Sequence, residues 1–150
     1  MKFWIMKSEP DVFSIKDLEK KKTQCWDGVR NYQARNFMKE MKLGDKVLFY
    51  HSSSDVVGVA GIASVCKLAY PDHTQFDQQS DYYDPKATLE SPRWYMVDVK
   101  HEKTFKSIIT LEMIRNNEFL SNLIILRKGN RLSITPCEKK EFEIIQKMAL

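Results

Sequence analysis

The chain has 150 residues, 43% of them hydrophobic and 11% aromatic, enough to bury one substantial core but not two independent ones. Its 24 Lys and Arg against 20 Asp and Glu give a formal net charge of +4 and a pI near 8.9, a balance too mild to name nucleic acid as the partner by charge alone. No apolar run reaches the roughly 18 residues of a membrane span, and MKFWIMKSEP meets Glu9-Pro10 too soon for a signal peptide. One domain over residues 1–150 is therefore expected, in the cytoplasm or nucleoplasm, with the cytoplasm as the working assignment and no membrane partner.

Taken in order, Phe3-Trp4-Ile5-Met6 reads as a buried strand that delivers Lys7, Ser8, Glu9 and Pro10 at its end. Ser14-Ile15-Lys16-Asp17 has the spacing of a capping box and predicts a short helix running out by Lys22, with Lys20-Lys21-Lys22 as a solvated face. The next stretch is the most informative. Trp26-Asp27-Gly28-Val29-Arg30-Asn31 leads into Tyr32-Gln33-Ala34-Arg35-Asn36-Phe37, combining an aromatic, a turn glycine, two guanidiniums and two carboxamides. Asp27-Gly28 can turn the chain, and Asn31 is placed to cap a helix from Tyr32 to Met41 that buries Phe37, Met38 and Met41. Trp, Arg and Asn together can grip a flat polar ligand. The plainer reading makes Trp26 core, Asn31 only a cap, and Arg30 and Arg35 solvated charges.

Lys46 to Ser52 reads as a strand, followed by Val56 to Tyr70 with Gly58 and Gly61 as bend or bulge points. Residues 71–92 lack periodicity but carry Phe76, Tyr82 and Tyr83, so a packed flap is expected rather than a linker. Trp94 to Phe105 alternates as a strand, and Thr110–Asn116 and Phe119–Ile125 read as short helical turns. Arg131-Leu132-Ser133-Ile134 is a further expected strand. Thr135 is then placed as the N-cap of a closing helix, with Pro136 at its first position and Phe142, Ile145 and Ala149 as its stripe. Short strands in irregular order, with helices at the ends, predict an α+β fold around a curved, largely antiparallel sheet and argue against parallel βαβ units.

The strong catalytic signatures are missing: there is no G-x-S-x-G, P-loop, H-E-x-x-H or G-x-G-x-x-G. Cys25, Cys66 and Cys137 are odd in number and widely spaced, so neither a disulfide framework nor a metal site is expected, and no cofactor. His51, at a strand end, is the one histidine placed to meet Ser8 and Glu9. It reads as an orienting or satisfied residue before a relay.

Together, Trp4 to Pro10, Trp26 to Asn31, Ala34-Arg35-Asn36, Gly44-Asp45, Phe49-Tyr50-His51-Ser52, Pro92-Arg93-Trp94 and Arg131 to Pro136 resemble the EVE domain, in family order along nearly the whole chain. The one departure is Ile134, where Val is common. The resemblance implies a PUA-like β pseudo-barrel with flanking helices and a non-catalytic module that reads a modified nucleobase in DNA or RNA, modified cytosine in DNA being the usual proposal. It implies that Lys7, Ser8 and Glu9 line a pocket rim, that Trp26 supplies a stacking face beside Val29, and that Arg30 and Asn31 contact base edge or phosphate. It further implies that Tyr50, His51 and Ser52 form the opposite wall, closed by Trp94, Arg131, Leu132 and Ser133. Lys39, Lys42, Lys46, Arg127, Lys128 and Arg131 are candidate phosphate contacts. Two alternatives stay open: an amidohydrolase-like enzyme on a modified nucleoside, as in the similarly folded ASCH proteins, with Lys7 as base assisted by Glu9 or Ser8, and a plain protein-interaction module.

Overall fold

The computed structural model describes residues 1–150. In chain order the elements are β1 (Phe3–Ser8), α1 (Ile15–Lys21), β2 (Thr23–Cys25), α2 (Tyr32–Glu40), β3 (Lys46–His51), β4 (Gly58–Pro71), β5 (Tyr95–Thr110), α3 (Leu111–Arg115), β6 (Ile134–Cys137) and α4 (Lys139–Met148). The strands form one six-stranded sheet in the order β2-β5-β4-β3-β1-β6. Every pairing is antiparallel except β1 with β3, where Phe3 meets Lys46 and Ser8 meets His51. That parallel pair requires a crossover, which α1, β2 and α2 supply. No helix is long and apolar enough to cross a membrane.

β1 is an uninterrupted apolar run because both faces of the sheet are covered there. Trp4 and Met6 join Leu18, Trp26, Ala34, Met38 and Phe49 in one core under α1 and α2. Phe3 and Ile5 join Leu48, Tyr50, Ile109, Leu120, Phe142 and Ile145 in a second core under α3 and α4. The expected caps are present: Ser14 accepts from the Asp17 N–H at 3.2 Å while Asp17 accepts from the Ser14 N–H at 2.9 Å, and Asn31 accepts from the Ala34 N–H at 3.0 Å. Gly61 sits at a register shift between β4 and β5, where a Cβ would meet the Lys103 carbonyl and the Ile15 side chain. The expected bend at this glycine therefore has a packing cause.

The end of the chain departs from expectation. The last strand covers Ile134–Cys137 rather than Arg131–Ile134, and α4 starts at Lys139, so Thr135 and Pro136 are strand residues. Pro136 is tolerated because β6 is the outermost strand, with a neighbour on one side only, where a missing N–H breaks no ladder bond. The Glu138 N–H is instead capped by the Glu141 carboxylate at 2.8 Å.

Residues 72–94 pack as a flap pinned by side chains. Gln75 is fully buried; its amide donates to the Asp72 and Trp94 carbonyls at 2.7 and 2.8 Å, and its Oε1 accepts the N–H groups of Arg93 and Trp94. The Trp94 indole N–H reaches Asp84 at 2.7 Å. One buried carboxamide thus joins the two ends of a long loop.

Candidate nucleic-acid pocket

A cavity of about 290 Å³ opens at the C-terminal end of β1. Its walls are Lys7, Ser8 and Glu9, the following turn at Val12 and Phe13, the run from Gln24 through Arg30, Tyr82 of the flap, and Ser133. Ser133 is held there by its carbonyl, which accepts the Lys7 N–H at 2.8 Å. On the far side, Gly28 has φ +80° and lies so close to Tyr82 that a Cβ would stand 2.8 Å from its ring. Glycine is needed here both for the turn and for the flap to close over it.

Asp72 fixes this wall. Its side chain is fully buried and accepts from the Gly28 N–H at 2.8 Å, Arg30 Nη1 at 3.1 Å, and the Thr74 N–H and hydroxyl at 2.8 and 2.5 Å. Burial works against the charge, yet the bonds from Thr74, Gly28 and Arg30 outweigh it and hold the carboxyl below the usual carboxylate range. Arg30 also donates to the Val29 carbonyl, to the Thr74 hydroxyl, and twice to the Tyr82 carbonyl at 2.8 and 3.1 Å. All its N–H donors are therefore occupied within the protein.

Of the residues expected at the site, Lys7, Ser8, Glu9, Trp26, Val29, Arg30 and Ser133 line the cavity. The other seven do not, and five of them have a structural task. Asn31 is the cap of α2. Tyr50 is buried in the second core, with Lys7 Nζ 5.7 Å from its ring centroid. Buried His51 accepts the Ile15 N–H on Nε2 at 3.1 Å, and Ser52 uses its N–H on the Ser8 carbonyl. Trp94 is buried and stacked on Tyr32, with ring centroids 4.8 Å apart. Arg131 and Leu132 precede Ser133 without reaching the cavity.

Two expected roles also change for residues that do line it. Arg30 has no donor left for a base or phosphate; its work is to latch the flap. Trp26 is only 8% exposed and set edge-on to Phe49 at 5.4 Å, which leaves little open π-face. Tyr82, 45% exposed, is the most open aromatic at the cavity, where Phe13 is partly buried against the core. Its local signal was an aromatic in a polar loop; nothing in the sequence marked the fold's return of that loop to Gly28. Gln24 and Cys25 were missed with the three-residue strand β2, and Asp27 was read only as a turn former.

The electrostatics single out two side chains. Lys7 makes no ion pair or hydrogen bond through its ammonium, and burial lowers its pKa from the ordinary lysine value. Asp27 has no partner for its carboxylate, and burial, then the neighbouring Asp72, push its pKa up. Lys7 and Glu9 form no ion pair, and the Ser8 hydroxyl donates to the Phe13 carbonyl at 2.6 Å, so no Ser-His-Glu relay is assembled.

His51 carries a testable consequence. Its ring must be neutral at Nε2 to accept the Ile15 N–H, and burial lowers its pKa below the usual imidazole value. The unfolded chain then binds the proton more readily, so this contribution is fully present above the ordinary imidazole range and is lost as pH falls through it toward the folded value. Chemical denaturation at pH 7.5 and 5.5 should show a drop in stability for the wild type that His51→Gln does not share. An equal drop in both would remove His51 as the cause.

The chain matches the EVE domain over residues 2–148. It is 42% identical to human thymocyte nuclear protein 1 across 161 residues, covering 95% of this chain and 71% of that protein. Two solved structures share the fold: a hypothetical protein from Leishmania major, at TM-score 0.96, 47% identity and coverage of 99% and 94%, and human THYN1 in complex with 5-methylcytosine-containing DNA, at TM-score 0.93, 40% identity and coverage of 99% and 98%. With the six-stranded mixed sheet and its flanking helices, these matches establish that the chain belongs to the EVE domain family and has its PUA-like α+β fold.

Proposed function

We propose that this protein binds DNA and reads a modified cytosine turned out of the helical stack into the cavity. The observation that carries the reading is a cavity wall with unused polar groups, Lys7 and Asp27, beside the open ring of Tyr82. A base buried there gains stacking and hydrogen bonds that offset the few kcal/mol, roughly, of leaving the stack. The complex of human THYN1 with 5-methylcytosine-containing DNA, on the same fold, supports this choice of ligand.

Backbone contacts must supply the rest of the affinity. Arg127, Lys128 and Arg131 are the best placed of the candidates, on the loop that leads into Ser133, and none forms an ion pair. The expected role of Lys46 is not supported. Lys46 pairs with Phe3 at the opposite end of β1, roughly 13 Å along the strand from Lys7 at about 3.3 Å per residue. It is also bonded to Glu102 at 3.8 Å, while Lys39 lies over the Tyr95 ring.

Titration of duplexes carrying one 5-methylcytosine, of the unmodified duplex and of the matching RNA tests the reading. The modified DNA should bind tightest. Neutralising Arg127, Lys128 and Arg131 together should flatten the slope of log affinity against log salt by about 2 to 3, since each phosphate contact contributes roughly 0.9. Tightest binding to RNA, or an unchanged slope, would count against this assignment.

The half-buried, unpaired Lys7 also favours a second reading, in which its amine acts as a general base on an acylated nucleoside. Chromatography of nucleosides incubated with the protein separates the two. A product that forms with wild type and not with Lys7→Met would replace the reader by a hydrolase.

A further inference from the structure

Several polar groups around the cavity are already used. The Arg30 donors are occupied by Asp72, Val29, Thr74 and Tyr82, the Ser8 hydroxyl donates to Phe13, and Gln24 Oε1 accepts from Lys21 Nζ at 3.5 Å. Groups on the walls without a partner include the Asp27 and Glu9 carboxylates, the Lys7 ammonium, the Trp26 indole N–H and the Tyr82 and Ser133 hydroxyls; Glu9 is exposed to solvent. Asp27 is the unusual one. It is half-buried, and the charged or titratable groups that face it are Cys25 on its own segment, Arg30 on the following turn, and Asp72 and His73 on the flap. Arg30 is the natural partner, but Asp72 holds it. A carboxylate taken out of water without a donor costs stability, which a ligand bringing N–H groups recovers.

A half-buried acceptor in a cavity wall selects for a donor on the ligand. The hydrogen-bonding edge of cytosine offers an amino group, a ring nitrogen acceptor and a carbonyl acceptor, whereas thymine and uracil place a carbonyl where cytosine has its amine. We infer that Asp27 is the specificity-determining residue of the cavity, its carboxylate accepting the exocyclic amino hydrogens of the everted cytosine. This rests on the reader assignment and adds what that assignment leaves open: how an amino pyrimidine is told from a keto one. A thymine would set its 4-carbonyl against the carboxylate, and an acceptor facing an acceptor is rejected more sharply than a missing methyl.

The test uses two duplexes identical except for one base, 5-methylcytosine or thymine, each opposite an abasic site so that neither has a pairing partner to leave. The two bases differ only in the amino-to-keto exchange and its ring proton. Wild type should prefer 5-methylcytosine by about tenfold or more, and Asp27→Asn, whose carboxamide presents both a donor and an acceptor, should bring the ratio to within about threefold. Thermal melting of Asp27→Asn should fall no lower than wild type, because the side chain has no partner to lose and its neutral form is the easier one to bury beside Asp72. Binding of neither duplex by wild type would end the reader assignment and this inference with it. Binding with a preference that survives in Asp27→Asn would overturn the role of Asp27 alone. Should the variant fail to fold, the wild-type ratio decides: equal affinity for the two duplexes overturns the inference.

Discussion

Asp72→Ala is expected to lower stability by about 3 to 5 kcal/mol, the loss seen when one partner of a buried charge pair is removed. At 150 residues that corresponds to a fall in Tm of roughly 6 to 20 °C. The size follows from what the carboxylate does. It is fully buried and receives donors from Gly28, Arg30 and Thr74, so its removal leaves a guanidinium and two backbone N–H groups without their acceptor. The flap and the cavity wall should loosen together, since both meet at this residue. Asp72→Asn retains an acceptor and should cost less. The double variant Asp72→Ala, Arg30→Ala should cost less than the sum of its singles, because the second change removes the charge that the first strands. A Tm for Asp72→Ala within a degree or two of wild type would show that the latch contributes nothing.

This latch also explains which parts of the molecule were legible in the sequence. Elements whose cause is local were readable: the Ser14–Asp17 capping box, the Asn31 cap and the buried run of β1 each depend on residues a few positions apart. Elements whose cause is distant were not. Asp72 meets Gly28 and Arg30 across more than forty positions, and Gln75 joins the two ends of the flap across 19, with no local pattern to announce either bond. The same limit applies to β6. Thr135-Pro136 has every local feature of a helix start, and only pairing with β1 makes it a strand.

The site followed the same division. Residues at the end of β1 and in the Trp26–Arg30 run reach the cavity because strand ends and turns place them there. Tyr50 and His51 were misplaced for a reason of parity and partner: successive strand residues face opposite sides, so Tyr50 enters the second core while Phe49 enters the first. His51 shares the Phe49 face but is claimed by the Ile15 N–H. Arg30 and Trp26 were read from chemistry that suits a ligand, and the protein spends that chemistry on itself. A guanidinium can hold a flap as well as a phosphate, and the sequence does not say which acceptor is nearer.

Because Trp26 is part of the core, truncating it would confound any binding measurement: a buried Trp replaced by Ala loses about 3 to 5 kcal/mol of stability. Tyr82 is the cleaner probe of stacking. Its ring is half-open at the cavity, lies 5.5 Å from the Arg30 guanidinium, and rests against Gly28, while the bonds that fix its segment run through its backbone carbonyl. Tyr82→Ala keeps that carbonyl and removes only the face. Loss of one base-aromatic stack is worth about 1 to 3 kcal/mol, so affinity for a 5-methylcytosine duplex should fall by about 5- to 150-fold with little change in Tm. Tyr82→Phe should bind as wild type, since the hydroxyl donates to no group in the protein and stacking needs only the ring. Loss in both variants would assign the effect to the hydroxyl. Unchanged affinity in Tyr82→Ala would mean that the base is held without the flap, leaving the exposed edge of Trp26 and the polar groups of Lys7 and Asp27 to bind it.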